Sequence, residues 1–206
     1  MARGRREPLS RERILDAALA LVDRDGIEGL SMRRLGEELG VEAMSLYNHV
    51  PNKEALLDGL HERILAEVAP APATTRDWRA FARQQARSLH AALTAHPHAI
   101  ALFATRPAAT TSSLARLDSY LAVLRRAGFE PVDSLMVVQL VSALVVGHAL
   151  WIAGTTAART PVTVTPALAA AHEVARALDA YRPDQELEVG LEALLAGLEM
   201  RRRRPR

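Results

Sequence analysis

The stretch SLYNHVPNK, Ser45 to Lys53, sets a hydroxyl, a phenol, an amide, an imidazole and an ammonium close together. Only Leu46 and Val50 within it are obviously buriable. Ser45, Tyr47 and His49 can donate to phosphate oxygens. Lys53, placed where a following helix begins, adds its charge to free N–H groups and a positive dipole end that already attract phosphate. That chemistry is a grip on a polyanion. The competing reading is a solvated helix whose tyrosine and histidine are satisfied locally.

Other residues carry weaker chemistry. His90, His96, His98 and His148 invite a metal reading, but His96 and His98 flank Pro97 and so miss the i, i+4 spacing that converges on a metal. His148 sits in an apolar run and reads as a hydrogen-bonded core or cavity residue. There is no cysteine, hence no thiolate metal site and no disulfide framework. No nucleophile–base spacing supports an enzyme, and no metal or cofactor is called for. The net charge of +2 neither demands nor excludes nucleic acid. The tail RRRRPR is a basic run of the kind that is usually solvated.

The elements that must position these residues are helices. Ala and Leu dominate the apolar content and no convincing strand occurs, so the expected fold is all-α. Ile14, Leu15, Ala18, Leu21 and Val22 share one face of a first helix, closed at Gly26. Ser31 caps a second helix with Met32, Leu35 and Leu39 inward. Gly40 breaks it, Glu42 to His49 reads as a third helix, and Pro51 ends that one. Asn52 opens a fourth, striped by Leu57, Leu60, Ile64 and Leu65. The composition break APAPATT, 69–75, suggests a junction between residues 1–69 and 70–206. Beyond it, helices are expected over about 76–95, 98–104, 109–127, 132–154, 166–180 and 184–201, with a loop over 154–166.

The second and third helices, joined by a turn on Gly40-Val41, have helix-turn-helix spacing. The whole segment LSRERILDAALALVDRDGIEGLSMRRLGEELGVEAMSLYNHVPNKEALLDGL resembles the DNA-binding domain of the tetracycline-repressor (TetR) family. ATRP (104–107), LAVLRRAGF (121–129) and GLEALLAGLE (190–199) fall where the tetracycline-repressor subgroup has similar blocks. The resemblance implies a homodimeric, cytoplasmic repressor of a double-stranded DNA operator, released by a small-molecule effector. It places Arg33, Ala43, Met44 and Asn48 towards base edges, and Ser31, Ser45, Tyr47, His49 and Lys53 on phosphates. Ala43 and Met44 stand where tetracycline repressors use glutamine and proline, so the operator should differ from theirs. Alanine offers thymine a methyl contact but adenine no bidentate pair. Arg33 and Asn48 are the expected base readers.

For the effector side, the resemblance puts Gln85, Leu89, Leu102 and Thr105 at drug-contacting positions, although the same residues could be plain core. Leu102 replaces a histidine that would hold drug-bound magnesium, and another drug-contacting histidine aligns near Ala69. Leucine ligates no hard cation. The expectation is therefore a more apolar effector, oriented by Gln85 and Thr105, with His148 a further candidate contact.

The apolar run Ser134 to Gly154 is long enough to span a bilayer. Gln139, Ser142 and His148 would then lie near mid-membrane, and the leucine stripe of the last helix would lack a partner. A four-helix bundle built from two helices of each subunit satisfies both stripes, which favours a dimer over a membrane protein.

Overall fold

The computed structural model describes residues 8–71, 75–106, 110–157, 171, 173 and 181–203. Its helices are α1 (Arg11–Asp25), α2 (Met32–Leu39), α3 (Ala43–Leu46), α4 (Lys53–Leu65), α5 (Trp78–Ala95), α6 (Ile100–Thr105), α7 (Thr111–Arg126), α8 (Pro131–Ala157) and α9 (Pro183–Arg202). No strand occurs among the described residues.

Side-chain caps fix where these helices begin. Ser10, Ser31, Asn52, Asp77 and Thr110 accept from the backbone N–H three residues on, at 3.2, 3.2, 2.8, 3.0 and 3.2 Å. Each such cap contributes about 1 kcal/mol. Gly26 (φ 77°) and Gly40 (φ 66°) end α1 and α2 in conformations that favour glycine.

The helical stripes read from the sequence bury as expected. Ile14, Leu15, Ala18, Leu21 and Val22 of α1 meet Leu35 of α2, Leu46 of α3 and Leu56, Leu60 and Ile64 of α4. In the second half, α8 lies centrally and packs against α5, α6, α7 and α9, with Val145, Ala149, Leu191 and Leu195 buried. α8 has the length and hydropathy of a membrane span over Pro131–Gly154, yet this packing makes it the core helix of the sensor half.

Three expectations need adjustment. The third helix holds α-helical form only over Ala43–Leu46, then tightens into turns in which the His49 and Val50 N–H groups both donate to the Leu46 carbonyl (3.0 and 2.9 Å). Pro51 supplies no N–H to carry the helix further. α8 runs on to Ala157, three residues into the expected loop. The helix expected over 166–180 lies outside the described residues, apart from 171 and 173, which are helical.

Two histidines tie the halves together. His96 Nδ1 meets the Asp23 carboxylate of α1 (2.9 Å) and its Nε2 meets Glu67 (3.3 Å). His98 Nδ1 faces the Asp23 carbonyl (3.0 Å), so α1 is docked on the turn before α6.

Candidate nucleic-acid interface and effector cavity

The first site is built on a close approach of backbones. A Cβ on Gly36 of α2 would lie 2.9 Å from the Val41 carbonyl oxygen and 3.2 Å from the Ala43 nitrogen. Only glycine lets α2 sit this tightly on the turn into α3. Leu46 and Val50, both buried, pin α3 down. Met44, Tyr47, Asn48, His49 and Lys53 then face outward, with Met44 75% and Tyr47 41% exposed. The side chains of Tyr47, Asn48, His49 and Lys53 make no hydrogen bond among the described residues. Ala43 and Ser45 are half-buried beside them. Arg33 is exposed on α2 and paired with Glu37 at 2.8 Å, an i, i+4 contact that is weak in water. Ser31 is occupied in capping α2. An exposed, unpaired polar row beside the amino end of α4 suits the phosphate backbone and the groove.

The second site is a cavity of about 240 Å³ between α4, α5, α6, α7 and α8. Its walls are mostly apolar, with Phe81, Leu89, Phe103, Leu117, Val137 and Val141 among them. Polar groups in the wall include His61 of α4, Gln85 of α5, Ser113, Arg116 and Tyr120 of α7, and Gln139 and Ser142 of α8. Burial pushes the His61 imidazole below its ordinary value, with the Asp58 charge opposing and the Arg106 charge assisting, so the ring is neutral at pH 7. The Tyr120 hydroxyl donates to Gln85 Oε1. Gln85 Nε2 is buried without a partner.

α4 joins the two sites. Lys53 and Asn52 stand at its amino end, beside the exposed polar row, while His61 and Leu65 line the cavity. Arg106, directly after α6 and also in the cavity wall, donates from Nε to Asp58 (2.9 Å) and from Nη2 to Glu54 (2.8 Å), both on α4.

Of the residues expected on the effector side, Gln85 and Leu89 line the cavity. Leu102 and Thr105 do not. α6 is short, and it is Phe103 that turns to the cavity while Leu102 is buried in the core. Thr105 is exposed and donates back to the Ala101 carbonyl (2.8 Å). His148 lies further along α8, in a separate recess, where its Nδ1 meets His90 Nε2 at 3.0 Å and its Nε2 meets the Pro183 carbonyl at 3.1 Å. His61, Arg116 and Tyr120 escaped the sequence reading. Arg116 and Tyr120 stand at i, i+4 on α7, a spacing shared by many surface pairs, and nothing local distinguishes them.

A third surface is an apolar face that no other described residue covers. On α8 it carries Leu135, Leu140, Leu150 and Trp151, and on α9 Val189 and Met200, all exposed. Gly147, Gly154 and Gly197 leave open space beside it, which allows a neighbouring helix to come close. Helices α8 and α9 pack on each other, so the two faces form one surface of the kind that closes a four-helix bundle.

Comparison with known proteins accounts for all three surfaces. Residues 14–60 match the family described as bacterial regulatory proteins, tetR family, and residues 71–202 match the tetracyclin repressor-like C-terminal domain. The chain is 36% identical over 201 residues to the class A tetracycline repressor from transposon 1721 of Escherichia coli, covering 92% of this chain and 90% of that one. Its fold superposes on the TetR protein of Acinetobacter baumannii AYE with a TM-score of 0.77 at 32% identity, over 95% and 99% of the two chains. It also superposes on the Streptomyces coelicolor TetR family protein ActR in complex with actinorhodin, with a TM-score of 0.80 at 27% identity, over 96% and 100%. The chain belongs to the TetR family and is a dimeric, ligand-responsive, DNA-binding transcriptional regulator.

Proposed function

We propose that this regulator is a cytoplasmic repressor with a DNA-binding domain over residues 1–69 and a sensor and dimerisation domain over 70–206. It leaves a pseudo-palindromic operator when a largely apolar small molecule enters the 240 Å³ cavity. A two-fold dimer presents its recognition helices to successive major grooves, hence the palindrome. Arg33 and Asn48 read bases, with Ala43 and Met44 making apolar contacts. Ser31, Ser45, Tyr47, His49 and Lys53 hold the phosphates.

The observation that carries this reading is the sharing of α4 by both sites. Its amino end lies beside the exposed polar row, its carboxyl half walls the cavity, and Arg106 grips it at Glu54 and Asp58. A ligand that displaces Phe103 or His61 therefore moves the helix that carries the reading head. A ligand that prefers the displaced arrangement lowers operator affinity by the same factor that DNA lowers ligand affinity.

The test is selection of bound duplexes from a random pool at physiological salt. Enrichment of a palindrome distinct from the tetracycline operator is the expected outcome. With Arg33→Ala the enriched sequence should relax at one position of each half-site, at a cost of about 1–3 kcal/mol in discrimination. A pool that stays random would sink sequence-specific repression.

A further inference from the structure

Two side chains on the cavity wall, Arg116 and Gln85, hold donors without hydrogen-bond partners among the described residues, and these constrain what a ligand must bring. Arg116 Nη1 donates to the carbonyls of Val68 (2.9 Å) and Ala69 (3.4 Å) and to the Tyr120 hydroxyl oxygen (3.2 Å). With its oxygen accepting from the arginine, Tyr120 directs its proton to Gln85 Oε1. This sets the amide orientation: Oε1 accepts, and Nε2 is left with two N–H groups and no partner. Gln85 is only 7% exposed, so bulk water does not serve that amide. Nε and Nη2 of Arg116 likewise lack hydrogen-bond partners among the described residues.

Charge points the same way. No aspartate or glutamate lines the cavity among the described residues. Arg106 is neutralised by Glu54 and Asp58. Arg116 makes no ion pair with a carboxylate among the described residues. The cavity thus presents one uncompensated positive charge and a buried amide donor in a mostly apolar chamber.

We propose, resting on the effector cavity argued above, that the effector is an apolar molecule bearing a carboxylate, anchored by Arg116 and by Gln85 Nε2. A guanidinium edge meets a carboxylate through two parallel N–H···O bonds, and the acid oxygens leave a lone pair for the glutamine. The rest of the molecule lies against Phe81, Leu89, Val137 and Val141. A neutral hydrophobe of the same shape would leave both donors unanswered, and a cation would meet Arg116 with like charge.

The experiment is isothermal titration of the intact dimer at neutral pH with two probes of one shape, naphthoate and naphthamide. The expected result is naphthoate binding at least about tenfold more tightly than the amide. Arg116→Met should shrink that preference to about twofold, and Arg116→Lys, which keeps the charge but not the two-bond fork, should keep only part of it. Equal affinities for the wild-type protein, or a preference that survives in R116M, would overturn the proposal. The wild-type pair decides the matter even if a variant fails to fold. Leu89→Trp, which fills the chamber, should abolish binding of both probes. If neither probe binds, or if L89W leaves binding intact, the cavity itself is not the effector site and both readings fall together.

Discussion

The reading head and the sensor cavity both hold polar groups that find no partner within the chain, and they do so for opposite reasons. In the head, Tyr47, Asn48, His49 and Lys53 stand in solvent, where water satisfies them. In the cavity, Gln85 Nε2 is cut off from bulk water and has no partner among the described residues. Elsewhere in this half, charged side chains form internal pairs: Arg83 with Glu192, Arg87 with Glu188, Arg201 with Asp133. An exposed unpaired row costs little stability and offers affinity for a polyanion. A buried unpaired donor costs stability until the ligand arrives, which couples binding to conformation.

The comparison breaks most sharply if the two sites are not separable. Gly36→Val removes the close approach of α2 to the turn before α3, since its Cβ would meet backbone rather than a movable side chain. Overpacking of this kind costs about 1–3 kcal/mol, and misplacing α3 should lower operator affinity by at least about a hundredfold. Band-shift titration measures the second quantity, and naphthoate titration shows whether the cavity survives. A variant that kept operator binding would mean that the head tolerates a repacked turn.

A smaller effect tests the claim that the sensor's own charges are structural. Glu199 of α9 accepts from Arg202 Nη2 (2.6 Å), Arg203 Nε (2.6 Å) and Trp78 Nε1 (3.1 Å). Its hydrogen bond from Arg202 above all, with those from Arg203 and Trp78, holds the carboxyl at about 2 against an ordinary 4.5. A carboxylate depressed in the folded state adds stability that is complete above pH 4.5 and is lost as pH falls towards 2. Glu199→Gln should therefore cost about 2 kcal/mol at neutral pH. The gap from wild type should close on acidification through that window, as read by urea melts at a series of pH values. A gap independent of pH would show that the loss is packing rather than charge.

The two regions also differ in how much of them was legible in the sequence. Every expected DNA-facing residue lies between Ser31 and Lys53, so helix spacing, two caps and one proline suffice to set them on one surface. The cavity collects residues from five helices, from His61 to Val146, and their convergence depends on how α7 and α8 cross. Sequence position found Gln85 and Leu89 but placed Leu102 and Thr105 in the cavity, one and two residues from Phe103, which enters it. On a helix this short, a step of one residue turns a side chain by about 100°, the difference between cavity, core and solvent. Arg116 and Tyr120 gain their meaning only from the partners that packing brings to them.

The smallest expected effect is the one that sharpens the comparison furthest. Gln85→Met combined with Tyr120→Phe removes the orphan amide and the hydroxyl that orients it, leaving apolar groups of similar size. When both partners of a buried polar pair become apolar, the change is near neutral or favourable, whereas either single change strands the other group. The double variant should thus be more stable than either single variant, and at least as stable as wild type, with a gain of about 1 kcal/mol from losing the stranded donor. Thermal melts of the four proteins close the cycle. Operator binding should be unchanged, because the pair touches the chamber wall and not α4's DNA-facing end. A double variant that is clearly less stable than wild type would mean that ordered water already satisfies Gln85. The cavity donor would then resemble the solvated row on the head, and the contrast between the two regions would fail.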